Sequence, residues 1–254
     1  MFDLATMVED GVVENQAANL SDKTVDPRTK ITGDALKDEV NRNVGQLIVT
    51  YELDDDAEDG KAGMRAATGV VIKELGDGRY VVMTSCYPFV TSADGETNVT
   101  AGQFFLQRSD VKKCAALYLV EPETVTTYPG FEMSESSPAE GKDIALCVVE
   151  FVSGDADALD DIDSVKASGR DDYKENDFYV GGYPHQSIVK GAGMSQSRYS
   201  HYSLAGKIQD MKEMDGDEHA ILLHSTDCSP GQNGAPLYVT NEDGDKFIGA
   251  IHSG

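Results

Sequence analysis

Short runs of alternating apolar and polar residues recur along the chain from about residue 44 onward. A period of two indicates a β-strand, because successive side chains of a strand point to opposite faces. No long stretch keeps the 3.6-residue period of a helix. Strands this closely spaced predict an all-β barrel or sandwich. The pattern places strand signals at residues 46–51, 67–72, 80–84, 102–106, 114–120, 143–151, 178–184, 200–208, 220–225, 236–239 and 246–253.

Two polar segments divide the chain into four predicted parts. Residues 1–43 are polar and charged and form an N-terminal arm, with a short helix expected near 33–42. Residues 44–152 form a first β-barrel, in which Asp77-Gly78 has the composition of a hairpin turn. Residues 153–176 form an acidic linker that carries seven aspartates. Residues 177–254 form a second β-barrel, because an equally strand-rich half follows the linker.

The charge balance restricts the partners of the protein. The 254 residues include 21 basic and 45 acidic side chains, which gives a formal net charge of −24. Such a charge argues against binding to nucleic acid or to anionic membranes. It is explained either by solubility or by docking onto a protein partner that has a basic surface. No apolar stretch is long enough to span a membrane, and the N-terminus has no basic and apolar leader.

Cysteine usage predicts free thiols in a reducing compartment. No CxxC pair or other metal-ligand spacing occurs, so we expect neither a metal nor a cofactor. Without disulfides or a leader sequence, we expect the protein to be cytoplasmic. The four cysteines are Cys86, Cys114, Cys147 and Cys228.

The most informative stretch is a Gly-rich turn at residues 227–237 (DCSPGQNGAPL). Successive backbone N–H groups in such a turn can point into one concavity and bind an oxyanion. Acyl-transfer enzymes place a nucleophilic Ser or Cys in this kind of turn. Here the central residue is Asn233, whose amide cannot be activated by a neighbouring base. The turn therefore has the pattern of a catalytic loop without its nucleophile.

Three blocks, in the same order along the chain, resemble those of trypsin-like serine proteases. Residues 69–72 and 80–87 resemble the strand pair that delivers the catalytic His. Residues 141–146 (GKDIAL) resemble the segment that carries the catalytic Asp, and residues 231–236 (GQNGAP) resemble the nucleophile loop. Residues 182–184 (GYP) and 249–254 (GAIHSG) are similar to the bacterial glutamyl endopeptidase branch. The resemblance covers about 44–254 and implies two orthogonal six-stranded antiparallel β-barrels, with the site in the cleft between them.

Transferred position by position, the resemblance gives a degenerate triad. The Asp falls on Asp143, the His on Tyr87 and the Ser on Asn233, and a one-residue slip moves the His position to Cys86. A phenol with a pKa near 10 cannot act unaided as a base at neutral pH. The resemblance thus implies a pseudoprotease that serves as a binding or structural subunit. We expect Tyr87 to fill the space of the His and to hydrogen-bond Asp143.

Neighbouring positions indicate a retained cleft with an altered pocket. The backbone N–H groups of Gly231 and Asn233 are expected to form an oxyanion hole. Gln232 replaces the Asp that pairs with a newly cleaved N-terminus in the trypsin branch. Asp227 and His252 fall on specificity positions, but an anion and an anion-binding imidazole contradict each other as substrate readers. The pocket is therefore not expected to select a substrate.

Two other interpretations fit the same residues. The chain is an active hydrolase with a non-standard site, such as Cys86 or Cys228 with a distant His, or it is an unrelated all-β binding module. The resemblance also implies a further strand and a helix beyond Gly254. Either the sequence is incomplete or a partner completes the second barrel.

Overall fold

The protein is almost entirely β-structure, as predicted. The computed structural model describes residues 28–38, 40–51, 63–90, 99–110, 112–128, 131, 142–159, 177–184, 202–213, 220–224, 231–240 and 246–253. Within these ranges the chain forms thirteen strands and three short 3-10 helices, and no α-helix. The all-β fold class is confirmed.

Six antiparallel strands close into a first barrel. Their order is β4-β3-β2-β5-β6-β8, and β8 pairs back with β4. Asp77 and Gly78 have φ values of 54° and 73°, which confirms the predicted hairpin turn between β3 and β4. The short strand β7 adds to β8 outside the ring. The ranges are β2 Val44–Tyr51, β3 Gly63–Gly76, β4 Arg79–Thr84, β5 Val99–Leu106, β6 Ala116–Val120, β7 Thr126–Thr127 and β8 Ala145–Gly154.

The interior of this barrel is a packed aromatic and aliphatic core. Tyr118 is fully buried and meets Tyr80 and Phe151 edge to face, with ring centroids 5.6 and 5.7 Å apart. Leu47 and Phe104 are also completely buried. The pairing of Thr84 with Ala145 sets the end of β4 beside the start of β8. The closed core therefore fixes the turn after β4 against the segment that precedes β8.

A second antiparallel sheet contains the remaining strands. Its order is β1-β10-β9-β12-β13, and β11 pairs with the C-terminal part of β10. The strand β1, Thr29–Lys30, lies in the segment predicted as an N-terminal arm and pairs with β10. A 3-10 helix at Gly33–Lys37 stands where a short helix was predicted. The other ranges are β9 Asp177–Gly182, β10 Tyr202–Glu213, β11 Ala220–His224, β12 Pro236–Thr240 and β13 Lys246–Ile251.

An apolar cluster joins the two sheets. Val44 and Val70 of the first barrel pack with Tyr183, Tyr238 and Ile248 of the second sheet. This shared core holds the two sheets against each other. None of the described helices has the length and apolar character needed to cross a bilayer.

Candidate active site

Asp143 lies at the junction of the two sheets and is bonded from both sides. Its Oδ1 accepts the backbone N–H of Cys86 at 2.6 Å, and the backbone N–H of Tyr87 also donates to the carboxylate. Its Oδ2 accepts the hydroxyl of Ser253, just after β13, at 2.5 Å. Burial raises the pKa of Asp143, while these hydrogen bonds act in the opposite direction. The acid position of the predicted triad is thus held rigidly.

This raised pKa makes a prediction for Asp143→Asn. The contribution of Asp143 to stability is fully present below the unfolded-state pKa of about 3.9 and is lost as pH rises through the higher folded-state pKa. Asn carries no charge. We therefore expect the stability of the variant, relative to the unmodified protein, to increase as pH rises from about 4 to 7. Urea unfolding of both proteins across this range measures the difference, and a pH-independent difference would contradict the assignment.

The ring of Tyr87 points to a cation, not to Asp143. The Arg65 guanidinium carbon lies 4.8 Å from the ring centroid, and Arg65 Nη1 donates to the Tyr87 carbonyl at 2.7 Å. Burial raises the pKa of the Tyr87 phenol. The expected bond from this phenol to Asp143 is not formed within the described structure, because the cation–π contact draws the ring to Arg65. The backbone of Tyr87 makes the contact instead.

The loop around Asn233 is fastened to the first barrel. The Thr68 N–H donates to the Asn233 carbonyl at 2.8 Å, and the Thr68 hydroxyl donates to the Gly231 carbonyl at 2.9 Å. The Gly234 N–H donates to the His252 carbonyl at 2.8 Å. The Asn233 Oδ1 is buried and accepts no hydrogen bond from a described residue. The loop therefore has a fixed backbone and a buried amide oxygen that no described residue satisfies.

Contacts between described residues link the three segments that carry the predicted triad positions. The Gly234 backbone lies so close to the end of β4 that an added Cβ would fall 2.9 Å from the Ser85 nitrogen. Ser85 directly precedes Cys86, which is bonded to Asp143. On the other side, His252 contacts Gly234 and is followed by Ser253, also bonded to Asp143. The segments that carry Tyr87, Asp143 and Asn233 are thus connected through these neighbouring residues.

The remaining predicted residues have different surroundings. Cys86 is buried, and its Sγ donates to the Ile144 carbonyl at 3.1 Å. Burial raises the pKa of this thiol to about 12, so it is not a thiolate at neutral pH. His252 is buried. Asp227 and Cys228 lie outside the described residues.

Comparisons with known proteins bear on the fold. No protein-family model and no curated protein matches the sequence. Three solved structures that match are proteases. The protease Anisep from Arthrobacter nicotinovorans matches at 13% identity and a TM-score of 0.52, and the match covers 83% of this chain and 81% of the Anisep chain. The thermostable serine protease AL20 from an extremophilic microorganism matches at 12% identity and a TM-score of 0.53, covering 84% and 90%. A Glu endopeptidase solved in complex with MPD matches at 14% identity and a TM-score of 0.54, covering 91% and 90%.

The chain has the trypsin-like protease fold. At identities of 12–14%, these matches show the fold of the chain but not its activity. The predicted trypsin-like architecture is therefore confirmed as a fold. Within the described residues the first barrel is the one that closes, and the domain boundaries at residues 44 and 254 stay predictions.

Within this trypsin-like fold, three residues of the site were not predicted from the sequence. Arg28 Nη1 donates to the Oε1 of Gln232 at 2.8 Å, and both side chains are buried. Arg65 holds Tyr87, and Ser253 holds Asp143. Each is a single polar residue remote in sequence from its partner, so no periodicity or motif marked it. The GAIHSG motif did contain Ser253, but nothing in the sequence paired it with Asp143.

Proposed function

We propose that this trypsin-like chain is a catalytically inactive protease homologue that acts as a binding or structural subunit of a protein assembly. The observation that carries the proposal is the identity of the two residues at the positions that the resemblance assigns to the nucleophile and to the base. Asn233 stands at the nucleophile position, and Tyr87, with its ring turned to Arg65, stands at the base position. Acyl transfer needs a nucleophile whose proton a nearby base can take. Neither residue supplies this chemistry at neutral pH.

The cleft keeps features that suit ligand binding without turnover. Thr68 and His252 fix the backbone of the Asn233 loop. The N–H groups of Gly231 and Asn233 donate to no described residue, which supports their assignment as the oxyanion hole. A fixed loop whose N–H groups donate to no described residue can bind a peptide carbonyl whether or not a nucleophile is present.

The overall charge favours a basic partner. At a net charge of −24, association with a positively charged protein surface is accelerated, and anionic partners are repelled. The free thiols of Cys86, Cys114 and Cys147 suit a reducing compartment. We therefore propose that the protein acts in a cytoplasmic assembly with a basic protein.

A hydrolysis assay tests the proposal. The purified protein is incubated with casein and with a chromogenic ester, and the Asn233→Ala variant is assayed beside it. We expect both proteins to match the buffer control, since neither has a nucleophile in the loop. Turnover by the unmodified protein that Asn233→Ala abolishes would show that the proposal is wrong. Turnover that survives the substitution would also contradict it and would point to another centre.

The alternative thiol hydrolase makes a separate prediction about labelling. Burial raises the pKa of both Cys86 and Cys147 to about 12. At pH 7 such thiols are ionised to only about one part in 10⁵. We expect iodoacetamide to label these two cysteines in the folded protein only after denaturant is added, as read by peptide mass spectrometry. Stoichiometric labelling of Cys86 or Cys228 in the folded protein at pH 7 would support the alternative.

A further inference from the structure

The guanidinium of Arg65 is buried at one end of the first barrel without a carboxylate from any described residue. Its side chain is 7% exposed. Its Nη1 donates to the carbonyls of Tyr87 at 2.7 Å and Val90 at 2.5 Å. A buried charge is costly unless other groups compensate it. Two neutral carbonyls compensate this charge only in part, so the site favours an anion.

Two tyrosine rings form the walls around this cation. The Arg65 guanidinium carbon lies 5.1 Å from the Tyr51 ring centroid and 4.8 Å from that of Tyr87. Tyr51 pairs with Gly63 across β2 and β3, and a Cβ at Gly63 would fall 2.2 Å from the Tyr51 Cζ. Glycine therefore leaves the space that the ring occupies. Because aromatic faces attract cations, the two rings hold the guanidinium in one orientation.

One edge of the Arg65 guanidinium has no described partner. Both of its hydrogen bonds use Nη1, so Nε and Nη2 bond to no described residue. These two nitrogens form the edge that binds both oxygens of one carboxylate. The chain contains this geometry elsewhere: Arg79 Nε and Nη2 donate to the two carboxylate oxygens of Glu121 at 2.8 Å each. Arg65 presents the same edge without such a partner among the described residues.

We propose that Arg65, between Tyr51 and Tyr87, binds the carboxylate of an acidic residue in a partner's peptide segment. This assignment rests on the proposed function, in which the cleft binds a partner without cleaving it. Tyr87 falls on the position that the resemblance assigns to the catalytic His, and its ring contacts Arg65, so the proposed carboxylate site adjoins the proposed partner-binding cleft. Because the net charge of −24 favours a basic partner, the segment that fits best has one acidic residue flanked by basic ones.

The test uses a blocked pentapeptide with a central glutamate between lysines, and its glutamine analogue. Calorimetry measures affinity, and the NMR resonance of the Arg65 Nε–Hε group, assigned by its loss in Arg65→Lys, reports contact. We expect a saturable shift of this resonance with the glutamate peptide. The glutamine analogue and the Arg65→Lys variant are each expected to bind at least about tenfold more weakly, because neither allows a bidentate pair. The matched control, Arg79→Lys, should leave the affinity unchanged.

Three results would overturn the inference. The first is equal affinity for the two peptides, which decides the question even if Arg65→Lys destabilises the fold. The second is an affinity that Arg65→Lys leaves unchanged while the variant is folded. The third concerns the ligand-free protein, in which the acidic residues at 52–59 are replaced by neutral ones. If the Arg65 Nε resonance shifts on this replacement, the chain's own carboxylates are the ligand of Arg65.

The same titration separates this inference from the proposed function. Cleavage of the bound peptide would contradict catalytic inactivity but would leave the carboxylate site standing. A failure of the glutamate peptide to bind, without any hydrolysis, would contradict the carboxylate site alone.

Discussion

The double substitution Tyr87→His with Asn233→Ser is expected to create esterase activity on the order of 10²-fold above the buffer background. Asp143 is already held by the backbone N–H groups of Cys86 and Tyr87 and by the Ser253 hydroxyl. A carboxylate has about four acceptor sites, so one remains for an imidazole N–H. The Asn233 loop is likewise fixed by Thr68. The scaffold therefore needs only a nucleophile and a base. Hydrolysis of a chromogenic ester measures the gain in activity.

The two single variants are the controls for this gain. Asn233→Ser alone has a nucleophile but no base, and Tyr87→His alone has a base but no nucleophile. Because triad members act as a unit, we expect each single variant to stay at the level of the unmodified protein. A gain from Asn233→Ser alone equal to that of the double variant would contradict the assignment of Tyr87 to the base position. No gain in a folded double variant would contradict the placement of the three positions around one cleft.

Gly234→Ala is expected to destabilise the protein by about 3–5 kcal/mol. Gly234 has a φ of +84°, in the left-handed region that side chains disfavour. An added Cβ would also fall 2.1 Å from both the Thr68 carbonyl oxygen and the Thr84 Oγ1. The backbone of the first barrel cannot withdraw without breaking strand pairs, so the Asn233 loop would be displaced. Urea unfolding measures the loss of stability.

Gly76→Ala is the matched control for this prediction. Gly76 has a similar φ of +87°, but nothing lies within 4 Å of an added Cβ. Its substitution should cost only the conformational penalty, roughly 1–2 kcal/mol. The difference between the two variants therefore isolates the close contact between the loop and the first barrel. Equal losses of stability would show that the loop does not pack against Thr68 and Thr84 as described.

Local patterns predicted much of the fold because strands and turns leave a local signal. The alternation at 46–51 marks β2, and Asp77-Gly78 marks a hairpin whose positive φ values the structure shows. The order of the motifs placed Asp143 beside the turn after β4, where the structure has it. Backbone pairing and packing of apolar faces dictate the strand and the hairpin turn, and both are readable from short windows of sequence. The position of Asp143 came from the family resemblance.

The rest of the site depends on polar contacts between distant residues. Arg28 and Gln232 are 204 positions apart, and Ser253 and Asp143 are 110 apart. A single polar side chain carries no periodicity, so neither contact leaves a pattern in the sequence. The orientation of the Tyr87 ring was not predictable for the same reason. It is set by contact with Arg65, which lies outside every motif. The strand β1 was missed because two residues are too few to show alternation.

Covalent labelling with a fluorophosphonate, read by intact mass, tests most directly whether the cleft lacks a working nucleophile. An activated hydroxyl in an oxyanion-binding cleft would displace fluoride and add the phosphonyl group to the protein. We expect the mass of the folded protein to stay unchanged at neutral pH, while the Tyr87→His, Asn233→Ser variant gains one adduct on the introduced serine. A stoichiometric adduct on the unmodified protein, lost on unfolding, would contradict the account.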